Sequence, residues 1–180
     1  MEEEEWNPEK FRQLLLYVAK KSERDPFFGA VKLNKILYFS DFNAFRRLGH
    51  SITGADYQRL PEGPAPRKLL PERQILLERK AIEVEERPFF NHIQQRIVAK
   101  VDPDLTAISE AERAIVDEVI DVALAGKNGR EASDESHAEI GWQLFQNGES
   151  IPYRTAWYSP GPISLEGIEA AKKAAQAGIS

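Results

Sequence analysis

Gly29-Ala30-Val31-Lys32-Leu33-Asn34-Lys35-Ile36-Leu37-Tyr38-Phe39-Ser40-Asp41-Phe42-Asn43-Ala44-Phe45-Arg46-Arg47-Leu48 is the stretch on which the fold turns. Its apolar members, Val31, Leu33, Ile36, Leu37, Tyr38, Phe39, Phe42 and Phe45, cover nearly every side of a 3.6-residue spiral rather than one stripe. A helix apolar all round has to be wrapped by its neighbours, so the spacing predicts a central helix from about Gly29 to Leu48, closed by Gly49 in the left-handed conformation that costs glycine nothing. Lys32, Asn34, Lys35 and Asp41 then lie among apolar side chains, where a charge persists only if paired or near a rim.

Upstream, Glu2 to Glu5 read as a solvated acidic tail over residues 1–6. Asn7-Pro8 follows as an N-cap with proline at the first helical position. Phe11, Leu14, Leu15 and Val18 mark the buried face of the helix that begins there, with Lys10, Arg12, Gln13, Lys20 and Lys21 outside, and Ser22 to Pro26 break it. Downstream, Ile52 to Leu60 suggest a short strand. Pro61-Glu62-Gly63-Pro64-Ala65-Pro66 form a stiff loop, because three prolines fix φ and remove amide donors. A helix follows from about Pro66 to Lys80, regular from Pro71 onward.

Between Ala81 and Val101 the apolar period becomes two, through Ile82, Val84, Ile93, Ile97, Val98 and Val101. This predicts an antiparallel hairpin turning at Pro88 to Asn91. Ser109 to Ala125 is an amphipathic helix with capping-box spacing between Ser109 and Glu112; its buried side is Ile115, Val119, Ile120 and Val122, and Gly126 ends it. Asp134 to Phe145 is a shorter helix ended by Asn147-Gly148. An aromatic loop through Tyr153, Trp157-Tyr158 and Pro160-Gly161-Pro162 comes next, and Ser164 to Ala175 make an alanine-rich terminal helix. The expected class is mainly α (α+β): residues 7–180 as one compact helical domain around the apolar helix, with a small antiparallel hairpin or sheet.

Composition narrows function. At 180 residues with 42% hydrophobic and 29% charged side chains, the chain has material for one globular core. It contains no cysteine, which removes disulfides, thiolate nucleophiles and cysteine metal sites. The acidic start is unlike a secretory leader and the longest apolar run, Leu14 to Ala19, is short, so a cytoplasmic protein without a membrane span is expected. Residues 6–80 carry fifteen Lys/Arg against eight Asp/Glu, and residues 81–180 carry nine against seventeen. The total of −5 opposes the phosphate attraction that dominates nucleic-acid binding.

Chemical motifs are scarce. Gly126-Lys127-Asn128-Gly129 lacks phosphate-loop spacing and reads as a helix-ending turn. His50, His92 and His137 share no metal-binding spacing. His137, with Glu139 two residues on and Trp142 nearby, reads as a helix cap or the filler of a polar gap, with a proton-transfer role as the sharper alternative. No catalytic residue, metal or cofactor is assigned.

Lys32-Leu33-Asn34-Lys35-Ile36-Leu37-Tyr38-Phe39-Ser40-Asp41, followed by Gly54-Ala55-Asp56-Tyr57-Gln58-Arg59-Leu60-Pro61-Glu62-Gly63-Pro64, resembles the two-part signature of the SocA-like antitoxin family (Panacea domain, GepA-like). With Ser136-His137 and Ile151-Pro152-Tyr153 the resemblance extends over about residues 10–160. It implies a bacterial or phage toxin–antitoxin setting, in which members neutralise a toxin encoded beside them by direct binding and one member delivers its toxin to a Clp protease. The identity of the toxin does not carry over.

On that basis the partner-binding residues are expected at Tyr38, Asp41, Tyr57, Arg59, Glu62, Gly63, Pro64 and Trp157, because aromatic and arginine side chains anchor interfaces. Tyr38 and Tyr57 are equally readable as core residues, and Trp142 as a core lid. Two rival readings stay open: an enzyme or protease adaptor with a pocket at Asp41, His137 and Glu139, and a DNA-binding autoregulator using Lys32, Lys35, Arg46 and Arg47.

Overall fold

The structure, a computed structural model, describes residues 4–158; Pro160-Gly161-Pro162 and the expected helix at Ser164 to Ala175 lie outside them. Helix α2, Ala30–Leu48, runs through the middle, with Leu33, Ile36, Leu37, Tyr38, Phe42 and Ala44 buried and Gly49 closing it at φ +83°. Most of the other elements pack against it. The remaining elements are α1 (Pro8–Lys21), β1 (Tyr57–Gln58), β2 (Ala65–Pro66), α3 (Leu69–Glu78), β3 (Ile82–Phe89), β4 (His92–Ala99), α4 (Glu110–Glu118), α5 (Gly129–His137) and α6 (Ile140–Leu144). A short 3₁₀ turn, Tyr153–Trp157, comes last. Helices α1, α4 and α5, strands β2 and β4, and the 3₁₀ turn all touch α2, and the buried side chains form one contiguous cluster.

The fold is mainly α with two small antiparallel pairs, β1–β2 and β3–β4. Asn7 Oδ1 accepts from Lys10 N at 2.9 Å and Pro8 starts α1, as the cap signal predicts. Ser109 and Glu112 cap α4 reciprocally. The hairpin runs in register from Ile82↔Ala99 to Phe89↔His92, so its turn is only Phe90-Asn91, tighter than the predicted Pro88 to Asn91.

Several expectations change for tertiary reasons. The predicted strand over Ile52 to Leu60 shrinks to Tyr57–Gln58, because Ile52 and Thr53 give their amides to the Asp41 side chain instead of to a ladder. The helix ending near Ala125 leaves α-geometry at Glu118 and passes into a π-helical turn, Val119–Ala123, in which Leu124 N donates to Val119 O. The wider turn carries Leu124 into the core and leaves Val122 71% exposed, correcting its expected burial. The single helix over Asp134 to Phe145 is instead two: α5 begins earlier on an Asn128/Glu131 capping box, and α6 follows after Ala138-Glu139.

Charged residues placed outside by periodicity also turn inward. Arg12 reaches Glu72 at 2.5 Å and Lys10 reaches Glu112 at 2.6 Å, tying α1 to α3 and α4. The acidic tail is partly docked. Glu4 accepts from Ser51 N at 2.7 Å, and the Trp6 ring lies 5.1 Å from Phe11.

Arg96 on β4 is 2% exposed and donates to Asp25 O at 2.6 Å, to Ser22 O at 2.7 Å and to Glu23 O. One guanidinium thus satisfies the carbonyls that follow α1 and fastens the hairpin to the helical body. Ser22 O and Asp25 O keep backbone donors in Asp25 N and Phe28 N, so Arg96→Met removes the charge-assisted bonds that join the hairpin to this turn and is expected to lower stability by about 2–3 kcal/mol, read as a fall in the urea midpoint with unchanged slope; a midpoint at the wild-type value refutes the clamp.

Candidate functional site

The signature residues of α2 meet the segment that follows it at Asp41. Its side chain is fully buried, and every lone pair has a donor: Oδ1 accepts from Ile52 N and Thr53 N, each at 2.9 Å, and Oδ2 accepts from Thr53 Oγ1 at 2.6 Å and Tyr57 OH at 2.7 Å. Burial raises the carboxyl against the pull of the four donors and leaves it at about 6, so it is mainly an anion at neutral pH. The chain after α2 is thereby bent around one carboxylate, and Gly54, at φ +67°, lies so close to the backbone of Glu5 and Trp6 that no β-carbon fits.

Tyr57 leads into β1, whose backbone pairs with residues 149–151 on its other side: Arg59 N donates to Glu149 O at 2.9 Å and Ile151 N to Tyr57 O at 2.7 Å. Around the Tyr57 ring stand Tyr38, Phe42 and Tyr153, with centroids 5.6, 5.6 and 6.2 Å away. Tyr153 OH donates to Ala55 O at 2.7 Å, and Phe45 and Trp157 continue the aromatic layer to the surface.

Leu60 to Pro64 form a loop exposed at Pro61 and Glu62 and fastened from below at four points. Trp142 Nε1 donates to Leu60 O at 2.9 Å; Ser133 Oγ donates to Glu62 O at 2.8 Å; Gly63 N closes a turn on Leu60 O at 2.9 Å; and Lys35 Nζ donates to Pro64 O at 3.2 Å. Gly63 is at φ +99°, and a β-carbon there would stand 2.6 Å from Lys35 Cε and 2.7 Å from its Nζ. Glycine is required twice over, by conformation and by space. Arg59 caps one side: its guanidinium lies 4.1 Å over the Trp142 ring, and Nε donates to Trp142 O at 3.1 Å. The His137 ring stacks on the same indole at 3.9 Å. Two planar groups this close to one ring take opposite faces, so Trp142 is held between them and is a half-buried lid.

Lys35 is 1% exposed, and burial lowers its ammonium to about 8, with Glu62 acting in the opposite direction. Lys32, also 1% exposed, donates to Asp25 Oδ2 at 2.6 Å and Lys127 O at 2.8 Å. Both lysines are structural ties.

These positions sort the expected site residues. Tyr38, Asp41 and Tyr57 are interior, 0%, 0% and 1% exposed, so from where they stand they support the loop without reaching a partner. Gly63 and Pro64 are buried through their contacts with Lys35 and α5, whereas Glu62 is exposed and Arg59 half-exposed. Trp157, 56% exposed, lies on the far side of the aromatic layer from Tyr57. Among the described residues Tyr38 OH, buried, has no hydrogen-bond partner. Trp142 stands as the lid that the sequence suggested, and the tie that sequence reasoning missed is Ser133; Asn128, whose capping signal was readable three residues before Glu131, starts the helix that carries it.

Neither rival constellation assembles. The hydrogen bonds of Asp41 go to Ile52, Thr53 and Tyr57, His137 lies against Trp142, and Glu139 approaches Arg46 at 3.7 Å. Lys32 and Lys35 are buried, and Arg46 and Arg47 are paired with Ala156 O and Glu118, so these four present no basic stripe. Among the described residues no group of three or more His, Asp or Glu side chains is placed to hold a metal, and no helix is long and apolar enough to cross a membrane.

A family model described as "Antitoxin SocA-like, Panacea domain" matches residues 33–143, from the second turn of α2 to α6. No curated protein and no solved structure matches the chain.

Asp41→Asn places an amide N–H against donors and is expected to cost about 2–4 kcal/mol at pH 7, measured by urea unfolding; a cost below about 0.5 kcal/mol would show that the carboxylate does not hold the segment. Lys35 is a pH reporter. Its folded value lies near 8 and the ordinary lysine value at 10.5, so between them the unfolded chain holds a proton that the folded chain has released, and stability rises with pH across that window. Wild type should gain up to about 3 kcal/mol there relative to Lys35→Met; parallel stability curves for the two proteins would exclude a buried ammonium.

Proposed function

Because the chain belongs to the SocA-like, Panacea-domain antitoxin family, we propose that it neutralises a toxin by binding it directly, through the face formed by the Arg59 to Pro64 loop. The observation that carries this reading is the anchoring of the loop: Trp142, Ser133 and Lys35 hold its carbonyls from below while the Glu62 side chain points to solvent. A surface already ordered loses little conformational freedom on binding, which is where loops otherwise forfeit affinity. Within that face Arg59 and Glu62 are contact residues, Gly63 and Pro64 give the loop its shape, and Tyr38, Asp41 and Tyr57 set its position. Trp157, with Tyr158 at 49% exposure, is a second apolar contact outside the loop. Binding, not turnover, is the activity, and it needs no cofactor.

The test is growth rescue in cells that co-express the chain with the protein encoded by its neighbouring gene. Glu62→Arg, at an exposed position, is expected to change stability by less than about 0.5 kcal/mol and to abolish rescue. Rescue at the wild-type level removes the loop from the interface. Toxin abundance in the same cells separates occlusion, which leaves it unchanged, from delivery to a Clp protease, which lowers it. Tyr57→Ala does not serve as a contact variant: truncating this buried ring should cost about 3–5 kcal/mol, visible as a lowered melting temperature without any toxin present.

A further inference from the structure

Arg59 is held by one distant stretch of chain. Its backbone pairs with residues 148 and 149, Arg59 N donating to Glu149 O at 2.9 Å and Gly148 N to Arg59 O at 2.8 Å. Its side chain bonds the same stretch: Nε donates to Trp142 O at 3.1 Å, Nη1 donates to Asn147 Oδ1, and the guanidinium lies 4.1 Å over the Trp142 ring. The ring is fixed in turn, because Trp142 Nε1 donates to Leu60 O at 2.9 Å, one residue beyond Arg59. An arginine stacked on an aromatic face keeps its N–H groups free to bond in the plane of the fork. The two N–H groups of Nη2 have no acceptor among the described residues, and the side chain is half-exposed. Two hydrogen bonds and a stack thus orient the guanidinium and leave part of its fork open.

The other face of the indole is taken by His137, whose ring stacks at 3.9 Å and 23°. Nε2 of this histidine is buried and has no partner among the described residues. A polar ring atom left unpaired in the interior is a cost, so what the imidazole contributes here is its flat surface. Gln143 Nε2 donates to His137 O at 3.0 Å and secures the backbone that carries the ring. Without a flat group behind it, the indole has only its Nε1 bond to Leu60 O as a pivot, and it can tilt away from Arg59.

We propose that Arg59 is a pre-oriented receptor for an Asp or Glu carboxylate of the neutralised protein, and that His137 is the positioning residue that sets it, acting through Trp142. The inference rests on the neutralisation reading and names the chemistry of one contact within it. A guanidinium with free N–H groups meets a carboxylate in charge-assisted hydrogen bonds, and one already stacked has little rotamer freedom left to lose when the partner arrives. A row of phosphates is the poorer match. Glu62 stands three positions along the same loop with its side chain exposed, and the whole chain carries −5. The loop therefore presents both signs, whereas a nucleic-acid backbone answers with only one.

The test measures the affinity of the purified full chain for the protein encoded by its neighbouring gene, with a melting temperature recorded for every variant. Arg59→Gln should weaken binding about ten-fold or more. His137→Leu, which fills the space without a flat ring, should weaken it by a similar factor, and His137→Phe, which restores the flat ring, should bind within about two-fold of wild type. In the Arg59→Gln background His137→Leu should add no further loss, because a residue that acts through another is silent once that other is gone. Losses that multiply, or a His137→Leu protein that binds like wild type, overturn the positioning role. Where His137→Leu does not fold, a folded His137→Phe protein as weak as Arg59→Gln overturns it equally. Arg59→Gln with unaltered affinity overturns the receptor, and neutralisation through the loop still stands if Glu62→Arg abolishes rescue. A wild-type chain that neither binds nor neutralises that protein removes both readings. Retention of a DNA duplex by wild type at physiological salt, lost in Arg59→Gln, makes the acceptor a phosphate and overturns the carboxylate assignment.

Discussion

A carboxylate in the middle of an apolar helix has to be given hydrogen-bond donors, and much of this structure follows from how Asp41 gets them. Left bare in such surroundings, the charge would cost more than a domain of this size can spare. Four donors converge on it, all from the sixteen residues that follow it in the chain. This converts a segment with strand-like composition into a wrap around one side chain. The wrap sets the direction of Tyr57, Tyr57 begins β1, and β1 delivers Arg59 and the Pro61 to Pro64 loop to the surface. A single polar interaction in the core therefore determines where a surface loop stands.

The same device recurs with positive charge. Lys32, Lys35 and Arg96 are each buried, and each bonds backbone carbonyls of irregular segments, Lys127, Pro64, and Ser22 with Glu23 and Asp25, Lys32 pairing with the Asp25 carboxylate as well. Regular elements satisfy their own backbone, but loops packed against a core do so only in part, and long cationic side chains reach their carbonyls from a distance. Burying an ammonium is expensive, as the lowered Lys35 shows. What it gains is a loop with one geometry. Lys32 and Lys35 are, in this chain, supports of its surface rather than the surface itself. Side chains without such duties stand exposed: Glu62, Arg130, Trp157 and Phe90 at the hairpin tip.

Periodicity and caps were legible wherever an element's own residues decide its state. The apolar circumference of α2, the Asn7-Pro8 start of α1, the Ser109/Glu112 box and the alternation of the hairpin all reappear in space. Legibility ended where the deciding partner lies far along the chain. Nothing within Ile52 to Leu60 shows that its amides are claimed by Asp41. Nothing near Val122 shows that a π-helical turn passes its place in the core to Leu124. Aromatic and charged residues picked as anchors by type, Tyr38, Asp41 and Tyr57, went to the interior because burial depends on what packs over a residue, which residue type does not record.

By itself the sequence determined a mainly helical body around one wrapped helix, with a stiff proline loop and a hairpin, because turn chemistry and hydrophobic period act within a few residues. It also carried the family signature, which is a property of residue order. Only the tertiary structure decided which of those residues face solvent, that the loop is fastened by Lys35, Ser133 and Trp142, and that Arg59 and His137 meet across one indole. Those outcomes depend on contacts spanning from 29 to more than 80 positions, such as Lys35 with Pro64 and Trp142 with Leu60. Such contacts exist only after the chain has closed on itself.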